Sequence, residues 1–316
     1  MEIDVMRRIM GTMPDRNVRL KTEFFEGVEG IKVKLIDFPK NPYKAIYTMA
    51  TSTWGKHIDK WDETPIDGRI AVVKSVLDFK SLPNAMESFS FTFAVEGCSR
   101  SAFDQIARSR IGFVFASMGW RDNDHSDIGF RVPMSIVESD YYDAFKESVI
   151  KNKEFYHDLV SKGQANWQDA RSIIPISACH NFSFAANYMA LRSFESKRLK
   201  FCEQADTVAV AWLIREEMLK KFPLLGMYLR PSCDFKRKCE YHQAYDMSEM
   251  FGCLFKECGR NPYNYANDDS YATFNTSCTN KFQLERQLNI KIPNAIEDMP
   301  INYNNMSTLD MDLFVE

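Results

Sequence analysis

The sequence predicts an α+β domain in which strands and long helices share one core. Three observations carry this. Ile31–Asp37 (IKVKLID) and Phe89–Val95 (FSFTFAV) alternate with the two-residue period of half-buried strands. Asp140–Lys162 and Phe184–Lys221 carry helical spacing instead. With 316 residues, 45% apolar and 26% charged, the chain can bury a sizeable core.

The elements follow in order. Residues 1–30 read as an N-terminal extension, with Gly27 and Gly30 before the first strand. Asn41-Pro42 punctuates, and Tyr43–Thr51 has helical spacing. Ile70–Phe79 reads as a helix. Ser101–Arg110 is helical, with Ser99 or Ser101 as N-cap. Ile111–Ala116 is apolar enough to be buried. The helix from Asp140 stops at Gly163, and Asp169–Ser172 enters a short strand at Ile173–Ile176. Phe184–Lys221 is the longest helical region, stopped by Phe222-Pro223. Composition changes after Pro231. The boundaries read as 31–230 for a catalytic domain and 231–316 for a cysteine-containing C-terminal region. Its last 25 residues carry five acids and no Lys or Arg, which predicts an exposed tail.

Bulk composition excludes some classes. A net charge of −3 gives no general attraction for nucleic acid or anionic membrane. No stretch approaches the ~18 apolar residues of a membrane span. The opening MEIDVMRRIM lacks the apolar run of a signal peptide, so a cytoplasmic protein is expected. Eight cysteines there are thiols or metal ligands rather than disulfides. Cys233, Cys239, Cys253 and Cys258, with His242, lie close in sequence, but their spacings match no paired zinc knuckle. Plain cysteines are expected there, with zinc the weaker alternative. Cys98, Cys179 and Cys202 read as buried fillers, His180 as a structural polar residue, and His125 as exposed.

The chemistry concentrates in Glu96–Arg121 (EGCSRSAFDQIARSRIGFVFASMGWR). Four arginines sit here among apolar residues. An unpaired buried charge is costly, so such arginines point to an anionic ligand. Arg108 and Arg110 flank Ser109. Gln105 lies one turn before Arg108, and its amide offers both donor and acceptor to a base edge. Ser117, Gly119 and Arg121 form a polar, turn-prone cluster suited to a second anion. The competing reading is a core helix whose arginines reach solvent or pair with acids.

Five segments, in order, resemble the flavin-dependent thymidylate synthases. They are LIDFPKNPYKAIYTMATSTWG (35–55), SLPNAMESFSFTFAVEGCSRSAFDQIARSR (81–110), GQANWQDARSIIPI (163–176), the helix from Asn187 to about Ile214, and CGRNP (258–262). The resemblance implies that fold, with a central mixed or antiparallel sheet flanked by long helices. It implies FAD bound by Glu87, Arg108, Ser109, Arg110 and Asn187. It implies a pyrimidine deoxynucleotide monophosphate held by Gln105, Ser117, Gly119, Arg121, Arg171 and Arg198, with Gln105, Arg108 and Arg198 at the reacting centre. The family moves a methylene group from methylenetetrahydrofolate to C5 of deoxyuridylate, with NADPH reducing the FAD. Its members resemble homotetramers with flavin between subunits, and they need no cysteine nucleophile.

The sequence departs from the family at four places. Ser109 stands for the histidine of Arg-His-Arg. An ungapped count puts Met118-Gly119-Trp120 where the family has Ser-Gly-Arg, and a one-residue shift restores Ser117 and Arg121. The shift is favoured, because a loop without Ser or Arg has little to hold a phosphate. Met189 stands where an arginine is usual, and two residues are inserted before Ala205. These departures motivate alternatives: a pyrimidine nucleotide hydroxymethylase on the same fold, or a flavin-free nucleotide-binding or structural relative.

Overall fold

The computed structural model describes residues 22–55, 60–121, 123–199, 203–231, 284–290 and 306–316. Its centre is a four-stranded antiparallel sheet in the order β2-β3-β6-β4. These strands are β2 (Lys32–Asp37), β3 (Ser90–Ser99), β4 (Phe113–Ser117) and β6 (Cys179–Asn187). A separate parallel pair joins β1 (Phe24–Glu26), which precedes the boundary expected at residue 31, to β5 (Phe130–Val132).

The helices are α1 (Pro42–Ser52), α2 (Ile66–Leu77), α3 (Arg100–Ile106), α4 (Tyr142–Ser161), α5 (Tyr188–Arg198), α6 (Ala205–Lys221), α7 (Pro223–Met227) and α8 (Thr308–Val315). Single helical turns lie at Lys60–Glu63, Pro83–Glu87, Met134–Val137, Trp167–Ala170 and Arg171–Ile173. Helix α6 lies against β2 and β3 and buries Val208–Trp212, Ile214 and Met218. Phe91, Phe93 and Phe184 complete the main core, while Phe130, Val149 and Tyr156 build a smaller one under α4.

Local chemistry sets the boundaries. Asn41 caps α1 by accepting from the Lys44 amide, and Pro42 takes the first turn. Ser99 caps α3 by accepting from the Ala102 amide, one of the two caps expected. Gly163 ends α4 at φ +64. A bulge interrupts β3 between Val95 and Cys98, where Gly97 takes φ +77. The Arg131 guanidinium closes it, donating to the carbonyls of Gly97, Gly27 and Glu29.

Several expectations are corrected. Phe184–Lys221 is the end of a strand and two helices, because Phe184–Asn187 pairs with β3 and β4. Ile173–Ile176 is not a strand. Pro175 follows extended Ile174, and the carbonyls of Ile176 and Ala178 accept from Ser101 and Arg100 at the start of α3. Ile111–Ala116 is not buried: Ile111 lies on the loop before β4 and is 93% exposed, and β4 is an edge strand with Val114 71% exposed. The C-terminal tail is not simply exposed, because α8 packs on α1 and α2 with Phe314 and Asp310 buried. Among the described residues, no helix is long and apolar enough to cross a membrane.

Candidate functional site

Sheet register brings the candidate cofactor residues to one end of the sheet. Ser90 pairs with Asn187, and Phe113 pairs with Ala186. The exposed Glu87, just before β3, therefore shares that end with Asn187 and the 107–112 loop. The tie is close: the Asn187 amide donates to the Gly112 carbonyl at 3.0 Å. Gly112 has φ +73, and a Cβ on it would meet Ala190 at 2.6 Å and Asn187 Nδ2 at 2.7 Å. Only glycine lets the loop lie on that helix start. Asn187 Oδ1 caps α5 by accepting from the Ala190 amide.

Helix α3 ends at Ile106, so Arg108 and Arg110 stand on the loop rather than on a helix. Both are exposed, and neither makes a hydrogen bond or ion pair among the described residues. Ser109 between them is half-buried. Two guanidinium groups without a partner among the described residues and a hydroxyl, on a loop seated against a helix start, form a donor set suited to an anion.

Gln105 and Arg198 meet one turn deeper. Arg198 Nη2 donates to the Gln105 carbonyl at 3.2 Å. Gln105 Nε2 donates to Gln204 Oε1 at 2.6 Å, and Ser101 Oγ donates to the same oxygen at 3.0 Å. Nε2 of Gln105 carries a second N–H beyond the one given to Gln204. Arg198 differs from the other candidate arginines in being ion-paired, to Glu203. Glu203 and Gln204 were not singled out from the sequence. The two-residue insertion before Ala205 was the signal that marks them.

Ser117, Gly119, Arg121 and Arg171 lie at the other end of the sheet. Ser117 pairs with Phe182, and the Met118 amide donates to the Asn181 carbonyl. Four strand steps of β4 separate them from the loop, about 14 Å. Ser117 and Arg121 are exposed, and the charge of Arg171 reaches His125 on the same side. Arg121 and Arg171 make no ion pair among the described residues.

Trp120 has turned inward between these groups. Its Nε1 donates to His180 Nδ1 at 2.9 Å, and its carbonyl accepts from His125 Nε2 at 3.1 Å. His125 is buried, not exposed as the sequence suggested, because Trp120 and Tyr156 cover it. His180 is fully buried against Phe103, and burial pushes its imidazole down to about 4, with Arg100 and His125 adding to the shift. Burial also holds the Cys98 thiol well above its usual range and pushes Cys179 up to about 11. Both are therefore poor nucleophiles, as expected of fillers. Met189 packs against the core. Cys202, Cys233, Cys239, His242, Cys253 and Cys258 lie outside the described residues.

Comparison with known proteins follows the same lines. A family model described as "thymidylate synthase complementing protein" matches residues 34–224. The flavin-dependent thymidylate synthase of Thermococcus kodakarensis is 31% identical over 205 residues, covering 60% of this chain and 80% of the relative. That of Pyrococcus furiosus is 27% identical over 206 residues, with the same coverages of 60% and 80%. Among solved structures, the UMP/dUMP methylase PolB from Streptomyces cacaoi, bound with 5-Br dUMP, has a TM-score of 0.53 at 17% identity. It covers 65% of this chain and 96% of that one, a likeness of fold.

Proposed function

This chain belongs to the thymidylate synthase complementing protein family, and on that premise we propose that it is a flavin-dependent enzyme transferring a one-carbon unit to C5 of a pyrimidine nucleotide. The default reaction is deoxyuridylate to thymidylate, with methylenetetrahydrofolate as donor and NADPH as reductant. The observation that carries the reading is the loop with free Arg108 and Arg110, seated by Gly112 against Asn187 at the sheet end that Glu87 shares.

Arg108, Ser109 and Arg110 hold the anionic part of FAD, with Glu87 and Asn187 beside it. Bound flavin supplies the hydride that completes the transferred methyl group. Gln105, fixed by Gln204, orients the pyrimidine through its remaining amide hydrogen. Arg121 and Arg171 offer positive charge to a phosphate. They stand at the far end of β4, so a complete site takes them from a neighbouring subunit. Exposed Val114 on the edge strand and Ile111 on the loop before it fit such a contact, in keeping with a homotetramer.

The test is direct. Purified full-length protein should retain flavin through desalting, with absorbance near ~450 nm. Double substitution of Arg108 and Arg110 by Ala should give a folded, colourless protein. A wild-type protein that is colourless and takes up no added FAD overturns the reading.

A further inference from the structure

Of the five candidate substrate and cofactor arginines, Arg198 alone is ion-paired among the described residues. Its Nη1 pairs with Glu203 and its Nη2 donates to the Gln105 carbonyl at 3.2 Å. The two side chains are 19% and 18% exposed, so the pair is largely withdrawn from water. A substrate phosphate approaching this guanidinium meets a neutralised cation and a like charge beside it. Arg108, Arg110, Arg121 and Arg171 present no such obstacle.

Glu203 also has somewhere else to go. It stands one residue before Gln204, the N-cap of α6, which gives that helix start no side-chain cap, and free helix-start amides favour a carboxylate. It already lines a cleft of about 270 Å³ with Ser101, Ser177, Gln204 and Asp206. Ser177 Oγ there is buried without a hydrogen-bond partner. The cleft beside the α6 start therefore offers the carboxylate a setting other than Arg198.

We propose that Glu203 is a specificity-determining residue. It holds Arg198 in place of the substrate's phosphate and gives it up only to a ligand charged enough to displace it. This rests on the nucleotide reading above. It implies that affinity for a monophosphate is set below what Arg198 alone would give, and that a neutral nucleoside leaves the pair closed.

The experiment is calorimetric titration of the flavin-loaded full chain with deoxyuridine monophosphate and, separately, with deoxyuridine. Glu203→Gln keeps an acceptor for Arg198 and removes the charge. It should bind the monophosphate about tenfold more tightly, a gain of ~1.4 kcal/mol, and the nucleoside no differently. Glu203→Ser should move the same way, with thermal melting confirming that each variant is folded. Unchanged or weaker monophosphate affinity in both variants overturns the proposal, as does an equal gain for the nucleoside. A wild-type protein that binds neither ligand overturns the nucleotide reading itself.

Discussion

Helix α8 and the loop between α3 and β4 both present charged and apolar side chains, yet they treat them in opposite ways. At α8 every named group has its partner inside the chain. Buried Asp310 accepts from Tyr43, from Ser307 Oγ at 2.7 Å and from the Leu224 amide at 2.9 Å. Phe314 stacks on Tyr43 with centroids 4.6 Å apart. Arg69 donates to the Phe314 carbonyl at 2.6 Å and lies over Trp61. At the loop, Arg108 and Arg110 have no partner among the described residues, and Ile111 beside them is 93% exposed. Burial demands satisfied polar groups, so the first region is complete as folded. The second has kept its charges and its apolar residues open, which fits the anionic cofactor and second subunit proposed above.

Four predictions press on that contrast, from the largest effect to the smallest. Phe314→Ala should cost about 3–5 kcal/mol in a denaturant titration, because it empties a stacked, fully buried site. Flavin affinity of the folded fraction should not change, and a matching loss of flavin would break the separation between the two regions.

The next concerns acid. His180 has a folded value of about 4, below the ordinary imidazole value of about 6.5. The unfolded chain therefore takes up the proton first. Stability is full above the ordinary value and is lost as pH falls toward the folded one, by up to about 3 kcal/mol. Chemical denaturation of wild type and His180→Gln across that window should show the extra slope in wild type only. Equal slopes would mean that the buried His180 imidazole does not set the acid response.

Arg108→Ala should weaken flavin binding roughly 100-fold, about 2.7 kcal/mol, and leave the melting temperature of the flavin-free protein within error, since the side chain has no partner among the described residues. A clear drop in melting temperature would place Arg108 with Arg69, as a structural cation. Smallest is Gly112→Ala, expected to cost about 1–2 kcal/mol in stability through its positive φ and its contact with Asn187. It should also loosen flavin, and unchanged retention would detach the loop from the cofactor.

The period-two strands at Ile31 and Phe89 and the caps at Asn41 and Ser99 were legible because alternation and short polar caps are local signals. Strand β4 was not. Phe113 and Phe115 face the sheet while Val114 and Ala116 face out, and with both faces apolar the alternation disappears. The break at Asn187 was hidden for a related reason: β6 owes its strand state to pairing with β3 and β4, far away in sequence. At the candidate site, Gln105, Arg108, Arg110 and Asn187 were proposed from residue type and resemblance, and the structure describes where they lie. Which arginine is free and which is held by Glu203 was not, since an ion pair over an insertion follows only from the folded chain. Trp120 is similar. Met118-Gly119-Trp120 departs from the family's loop, but only the fold reveals that Trp120 is bonded to His180 and that Arg121 is left outside.

The most direct test of the central claim is mass spectrometry of the nucleotide after incubating the flavin-loaded protein with deoxyuridylate, methylenetetrahydrofolate and NADPH. The account predicts deoxyuridylate converted to its 5-methyl product, with conversion lost in the Arg108→Ala protein. Unchanged deoxyuridylate in the presence of bound flavin would contradict it, and a 5-hydroxymethyl product would keep the site but change the reaction.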